Sequence, residues 1–467
     1  QDMVIGCYYL TVDRPGVIAS NRGPWTHQFW DGRPVAGRGG GGLVSGLAPL
    51  VESGRATWIA AALSEADRAA TREGVASAGN LSAHLLDLDP EDHRLAYDVI
   101  SNETLWFVHH AIFDRTRSPS YTDDWWDAWA AYRRVNQRFA DAVVELAPES
   151  AVVLVQDYHL TLLAPAVLGR RPDLSLVHFH HTPFAGANGL RVLPPAAHDE
   201  LLSGLARHHA CGFHTDAWCA SFLESAPMWP DEASPRVFAS TLSSDADALR
   251  ATASSEDCAT AGDAIAELVG DRRLIVRVDR MELSKNIVRG FDAYDLLLEE
   301  RPDLRGTVTF LACCYPSRES VPAYARYRDE VQSAADRVNE RWSTADWTPV
   351  HLETDDDYPR SVAALTRYDV LVVNPVRDGL NLVAKEGPLV NRNDGQLVLS
   401  TEAGAYHELS DGADGIHPFD LSATARAIGA ALDRAPADRR ERALRLAAAA
   451  SARTPADWLA DQLAAAR

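Results

Sequence analysis

The chain of 467 residues is too long for one compact core and is expected to divide into two domains. Its 46% hydrophobic and 24% charged content is that of a packed globular protein, and no apolar run approaches the roughly 20 residues needed to span a bilayer. A net charge of −21 argues against a nucleic-acid binder, so an anionic ligand would have to be held by basic side chains gathered inside a cleft. Gln1–Leu10 has no basic segment followed by an apolar one, so no export signal is expected. The six cysteines, with Cys313 and Cys314 adjacent, follow no regular spacing and are read as reduced thiols of a cytoplasmic protein.

Near the start, Ser20-Asn21-Arg22 follows an apolar run, and the glycines Gly39–Gly42 come soon after. Such a run lets backbone amides approach a phosphate closely, although a flexible surface loop reads the same way and the spacing is not GxGxxG. A helix-like stretch, Ala128–Leu146, leads to the apolar run Ala151–Val155 before Gln156-Asp157-Tyr158-His159. Leu176–Phe179 then precedes His180-His181-Thr182-Pro183. Ser240–Asp263, rich in Ser, Ala and Asp, reads as the region joining two α/β domains. Beyond it, Leu274–Val278 precedes Asp279-Arg280, and Val308–Ala312 precedes a segment ending in Arg318. After the helix-like Val321–Arg341, Val370–Val373 precedes Asn374-Pro375-Val376-Arg377-Asp378, and Leu397–Leu399 precedes Ser400-Thr401-Glu402. The tail Asp433–Arg467 is helical in pattern and carries the apolar pair Trp458-Leu459. Apolar strands alternating with helices predict βαβ units and a parallel sheet, with ligands bound beyond the carboxyl ends of the strands, where the polar segments fall.

Lysine occurs only at Lys285 and Lys385, although 45 positions are basic. A lysine surviving such a bias suggests a site that needs a compact, mobile ammonium. Lys285 is read as a ligand contact and Lys385 as a surface residue on a helix. Arg280 and Lys285, on one post-strand loop, could together hold two phosphates; the alternative is a surface pair bonded to Asp279 and Glu282. Asp378-Gly379-Leu380-Asn381-Leu382 reads as a strand-to-helix turn whose amides suit a diphosphate or sugar hydroxyls, with Asp378 equally readable as a simple helix cap. Glu386 could accept hydrogen bonds from a ribose diol. Asp157 and His181 would project into the same cleft. The pairs His180-His181 and His208-His209 lack HExxH spacing, so no metal is expected.

Together these segments resemble the trehalose-6-phosphate synthase family of retaining glycosyltransferases (glycosyltransferase family 20), from Ser20-Asn21-Arg22 to about Leu432. The sharpest match is Asn374–Glu386, NPVRDGLNLVAKE. QDYHL at Gln156–Leu160, HHTPF at His180–Phe184, CGFHT at Cys211–Thr215, SRESVPAY at Ser317–Tyr324 and the Arg280/Lys285 pair support it. The resemblance implies an α/β protein with two Rossmann-like domains facing across a cleft, the GT-B fold, and a C-terminal helix crossing back to the first domain. The expected division is 1–245 for the acceptor domain, 246–440 for the nucleotide-sugar domain and 441–467 for the returning helix. It further implies transfer of glucose, with retention and without metal or other cofactor, from a nucleotide sugar to glucose 6-phosphate, and leaves a homo-oligomer open.

By the same resemblance, Arg280 and Lys285 bind the donor diphosphate and Gly41 and Gly42 bring amides near it. Asp378, beside the amides of Gly379, Leu380, Asn381 and Leu382, holds the transferred sugar, and Glu386 holds the ribose. His181 contacts the donor sugar and Asp157 orients the reacting groups. Arg22, Tyr97, Trp106 and Arg318 line the acceptor-phosphate pocket. The chain departs from the family at Gln156, where histidine is usual, at Met281–Asn286, where LDYSKG is usual, and at Ala61, where a pocket tryptophan is common. Asn286 and Gly387–Asn391 are similar to the pseudoglycosyltransferase branch that makes validoxylamine A 7′-phosphate from a guanosine-linked cyclitol. That local likeness leans the donor toward GDP-glucose, with UDP-glucose the alternative. A glucosylglycerol-phosphate synthase and a catalytically silent sugar-phosphate sensor complete the alternatives.

Overall fold

In a computed structural model, described for residues 14–38, 42–73, 77–78 and 81–467, the apolar runs assemble into two separate sheets. The first has eight strands in the order Arg236–Ala239, Ala210–Phe213, Ser175–His180, Val152–Gln156, Gly16–Ala19, Ala56–Ala61, Leu81–Leu86 and Ser77–Ala78, parallel except for the last pair. The second has six parallel strands, Val350–Glu353, Val308–Tyr315, Arg273–Arg280, Val370–Val373, Gln396–Ser400 and Asp414–Ile416. Central strands such as VVLVQ and VLVV are buried along their whole length, as strands covered by helices on both faces must be.

The observed strands run past the apolar pattern into the polar tips. Asp279 and Arg280, for example, still pair with Cys314 and Tyr315. Backbone ladder bonds carry a strand on after its side chains turn polar, and this extension sets Gln156, His180 and Arg280 at the strand ends that face the cleft. Ser240–Asp263, expected to be a linker, is mostly two helices, Ala246–Ala253 and Glu256–Val269. Its Ser and Asp content serves helix starts, for Asp245 accepts from the amides of Asp247 and Ala248, and Ser255 from that of Cys258.

The last helix, Pro455–Ala465, opens with a capping box between Thr454 and Asp457 and returns to the first sheet. Trp458 is fully buried there, its ring 5.1 Å from Phe179 and so close to Gly46 that a Cβ at that glycine would stand 2.7 Å from the indole. Among the described residues, no helix is long and apolar enough to cross a membrane. Removing the indole leaves a cavity between this helix and the first lobe. Trp458→Ala is expected to cost about 3–5 kcal/mol, read as a lowered thermal midpoint; an unchanged midpoint would mean that the helix contributes nothing to the folded lobe.

Candidate active site

Lys285 is presented by a turn that the sequence builds carefully. Fully buried Arg277, on the strand before it, donates to Asp279 at 2.8 Å and to the Lys285 carbonyl at 2.6 Å. Asn286 has φ 61°, a left-handed conformation that asparagine tolerates, and its Nδ2 donates to the carbonyls of Asn374 and Pro418. The turn is thereby tied to the loop after Val370–Val373, and Lys285 Nζ lies 2.6 Å from Asp378 Oδ2. The Asp378 carboxylate also accepts from the Leu380 amide and Asn381 Nδ2. Burial pushes the Asp378 carboxyl up, but Lys285 beside it outweighs this and holds it below the usual range. Burial likewise favours a neutral Lys285, yet Asp378, Asp279 and Glu282 keep its ammonium above its ordinary value. Both therefore stay charged at neutral pH.

Glu282 is the residue that motif reading undervalued. Nearly fully buried, it lies 3.2 Å from Arg280 and 3.9 Å from Arg318. Burial would raise its carboxyl, but the two guanidiniums hold it down at about 2. The ion pair of Arg280 with Glu282 exists as the bland reading had it, but it lines the cleft beside Arg318. Arg280 itself stays exposed and able to reach a ligand.

Facing this charge cluster, Asp157 and His181 stand at neighbouring strand ends of the first lobe. Asp157 has φ 69°, and its Oδ1 accepts from the His181 amide at 3.2 Å. Burial pushes its carboxyl up to about 6 and lowers the His181 imidazole to about 3. His181 Nε2 is 3.0 Å from Gln156 Oε1. The lobes touch here: Trp218 Nε1 donates to the Gly379 carbonyl, Arg377 donates to the Phe184 carbonyl, and a Cβ at Gly379 would collide with the His181 carbonyl. A glycine is needed at 379 for this approach.

A second basic pocket adjoins the first. Arg22 donates to the Tyr97 hydroxyl at 3.2 Å, and Tyr97 sits on a π-helical stretch, Leu95–Leu105, that runs directly into Trp106. Arg318, also left-handed at φ 52°, donates to the hydroxyls of Tyr324 and Tyr158 and lies over the Trp106 ring at 5.2 Å. Tyr158 and Tyr324 were within the quoted motifs without being singled out. Ala61 is buried at its strand end, with its amide bonded to Asn21; the aromatic wall is supplied by Trp106 and Tyr324 instead.

The helix Val383–Val390 starts at Leu382, and the Asn381 side-chain oxygen accepts from the Ala384 amide in its first turn at 3.3 Å. Glu386 accepts from the Ser244 hydroxyl at 3.1 Å, and burial raises its carboxyl. Lys385 is not on the surface. It is wholly buried, its Nζ bonded to Glu408 at 2.8 Å, Ser243 at 3.0 Å and the Leu242 carbonyl at 3.4 Å. This short helix is packed by other helices along its length and has little solvated face, so a residue one position from Glu386 turns into the lobe. Asn391 spends its amide on backbone groups, of Leu365, Tyr368, Asn393 and Gly395. Gly41 lies outside the described residues; Gly42 begins the helix Gly42–Glu52. Among the described residues, no three His, Cys, Asp or Glu side chains converge as a metal site would require.

Two Rossmann-like lobes meeting at a cleft, with cations at the strand ends, make the architecture of a nucleotide-sugar-dependent glycosyltransferase of GT-B fold. The chain belongs to glycosyltransferase family 20, whose model matches residues 16–467. It is 32% identical over 358 residues to the bifunctional trehalose-6-phosphate synthase/phosphatase of Thermoproteus tenax, an alignment covering 74% of this chain and 48% of that protein, so it spans about half of that relative. To the validamine 7-phosphate valienyltransferase of Streptomyces hygroscopicus subsp. jinggangensis it is 31% identical over 451 residues, 92% of this chain and 90% of the relative. The crystal structure of a UDP-forming α,α-trehalose-phosphate synthase from Burkholderia xenovorans in complex with glucose-6-phosphate superposes with a TM-score of 0.81 at 26% identity, covering 96% of this chain and 98% of that one.

The raised Asp157 carboxyl has a stability consequence with a definite sign. Between the ordinary carboxylate value and about 6, the folded state binds a proton that the unfolded state does not, so this group lowers stability as pH rises through 6. Asp157→Asn, which also tolerates the positive φ, is expected to raise the thermal midpoint at pH 7.5 while losing activity; a lowered midpoint at that pH would contradict the assignment.

Proposed function

We propose that this chain transfers glucose, with retention, from a nucleoside-diphosphate glucose to glucose 6-phosphate, forming α,α-trehalose 6-phosphate. The observation that carries this reading is the pair of adjoining cationic pockets in an otherwise acidic molecule. Lys285 meets Asp378 at 2.6 Å, Arg280 shares the Glu282 carboxylate with Arg318, and Arg22 and Arg318 stand among Tyr97, Trp106, Tyr158 and Tyr324. Both substrates carry phosphate, so a cleft that serves them needs two such pockets side by side.

In this reading Arg280 and Lys285 take the donor diphosphate, Lys285 exchanging part of its bond with Asp378 for phosphate oxygens. Gly42 and the amides of Gly379–Leu382 lie along the diphosphate and sugar, Asp378 holds sugar hydroxyls, and Glu386 with Ser244 holds the ribose. His181 meets the transferred sugar, Asp157 orients the acceptor, and Arg22, Tyr97, Trp106 and Arg318 hold the acceptor phosphate. As the glycosyl bond breaks, negative charge concentrates on the leaving diphosphate, and preplaced cations stabilise it more in the transition state than in the ground state. The acceptor hydroxyl attacks from the face the diphosphate leaves, and a leaving phosphate oxygen takes its proton. No metal is required for any of these roles.

The lean toward guanosine finds no support at Asn286, whose amide bonds two backbone carbonyls and Arg289, or at Asn391, whose amide is committed to backbone. Assay of glucose 6-phosphate with UDP-glucose and with GDP-glucose tests the reaction and the base together; disaccharide phosphate from neither would refute it. A second reading, coupling of an amino-cyclitol phosphate, is favoured by the 31% identity over 92% of the chain to the valienyltransferase; it predicts no consumption of glucose 6-phosphate. Lys285→Ala is expected to lower kcat by roughly 10²- to 10³-fold, about the loss of one preorganised contact to developing charge. Turnover within a few-fold of the parent would remove the leaving-group role. Arg318→Ala is expected chiefly to raise the KM for glucose 6-phosphate; an unchanged acceptor KM with weakened donor binding would contradict the pocket.

A further inference from the structure

His181 is reached from the far end of the chain through two glutamines. Its Nε2 lies 3.0 Å from Gln156 Oε1, and Gln156 Nε2 donates to Gln462 Oε1 at 3.0 Å. Gln156 ends the strand Val152–Gln156, Gln462 sits on the last helix, Pro455–Ala465, and both are buried. The same helix contributes Trp458, whose ring lies 5.6 Å from the imidazole, with Phe179 at 4.9 Å and His214 at 5.2 Å completing the wall. Gln462 Nε2 is itself buried without a hydrogen-bond partner among the described residues. A glutamine kept only for packing would not need to bear that cost.

A neutral imidazole has one donor and one acceptor nitrogen, and the partner of one nitrogen decides the role of the other. We propose that Gln156 and Gln462 are positioning residues that fix His181 as its Nε2–H tautomer and leave Nδ1 as a hydrogen-bond acceptor for a hydroxyl of the transferred sugar. This deepens, and rests on, the glycosyl-transfer reading. The relay has one direction: the Gln462 carbonyl accepts from the Gln156 amide, and the Gln156 carbonyl accepts from Nε2–H. Glutamine, unlike the histidine usual at position 156 in the family, does not titrate, so this direction is independent of pH. Burial keeps the imidazole neutral, as the relay requires. The returning helix thus takes part in aligning the donor sugar as well as in closing the first lobe.

Nitrogen-15 NMR of the imidazoles in the substrate-free, full-length protein, with His181→Asn to assign the signal, reads the tautomer directly. A proton on Nε2 is expected; a proton on Nδ1 would overturn the relay. Gln156→Met and Gln462→Met keep the side-chain volume and remove the amides. Each is expected to release the fixed tautomer and to lower kcat about fivefold to tenfold, the scale of one lost hydrogen bond, while the KM for glucose 6-phosphate stays within about twofold. An unchanged kcat and tautomer in both would also overturn the relay. The spectrum of the parent protein needs no substrate, and the only variant it requires is His181→Asn for assignment. If no disaccharide phosphate forms, the transferase reading fails while an Nε2 proton still supports the relay.

Discussion

The ion pair between Lys285 and Asp378, 2.6 Å long and largely shielded from water, is the constraint around which the site is organised. A buried ammonium or carboxylate left alone costs several kcal/mol, so neither can occupy this place without the other. Their pairing explains why the loops after Arg273–Arg280 and Val370–Val373 are bound so firmly together through Arg277, Asn286 and Asn374. In the proposed reaction, a cation already desolvated and fixed in place needs little rearrangement to meet a departing diphosphate. Glu282 plays the matching part between Arg280 and Arg318, keeping two guanidiniums close without a bound anion.

The backbone shows where stability has been given up for this arrangement. Asp157, Asn286, Arg318 and Asn381 all have positive φ, and all four belong to the cleft. Non-glycine residues held in that region cost of order 1–3 kcal/mol each and persist where surrounding structure over-determines them. Here hydrogen bonds supply that determination: His181 to Asp157, Asn286 to two carbonyls, Arg318 to two tyrosines and Asn381 to Asp378. The residues aimed at substrate are therefore held by their neighbours rather than by local preference.

Part of this was legible in the sequence because strand ends announce themselves: β-branched runs followed by polar residues marked the central strands of both sheets and the polar tips at which Gln156, Asp157, His181 and Arg280 fall. Asp157 and His181 could be picked out because each follows such a run, and Lys285 because lysine is otherwise so rare in the chain. What escaped had no local signal. Lys385 looked solvated by its neighbours in sequence, and only the packing of other helices around its own turns it inward to Glu408. Ser240–Asp263 looked like a linker because helix caps and linkers share Ser and Asp. The contact of Gln156 with Gln462 joins residues 306 positions apart, and the lobe-to-lobe bonds of Trp218 and Arg377 depend on how two independently patterned halves dock.

In the proposed reaction the cleft's cations divide between two phosphates, one leaving and one arriving. A crystal structure with a nucleoside diphosphate and glucose 6-phosphate bound together measures this most directly. The diphosphate is predicted on Lys285 and Arg280 and the sugar phosphate on Arg22 and Arg318. A diphosphate bound away from Lys285, with the Lys285–Asp378 pair undisturbed, would contradict it.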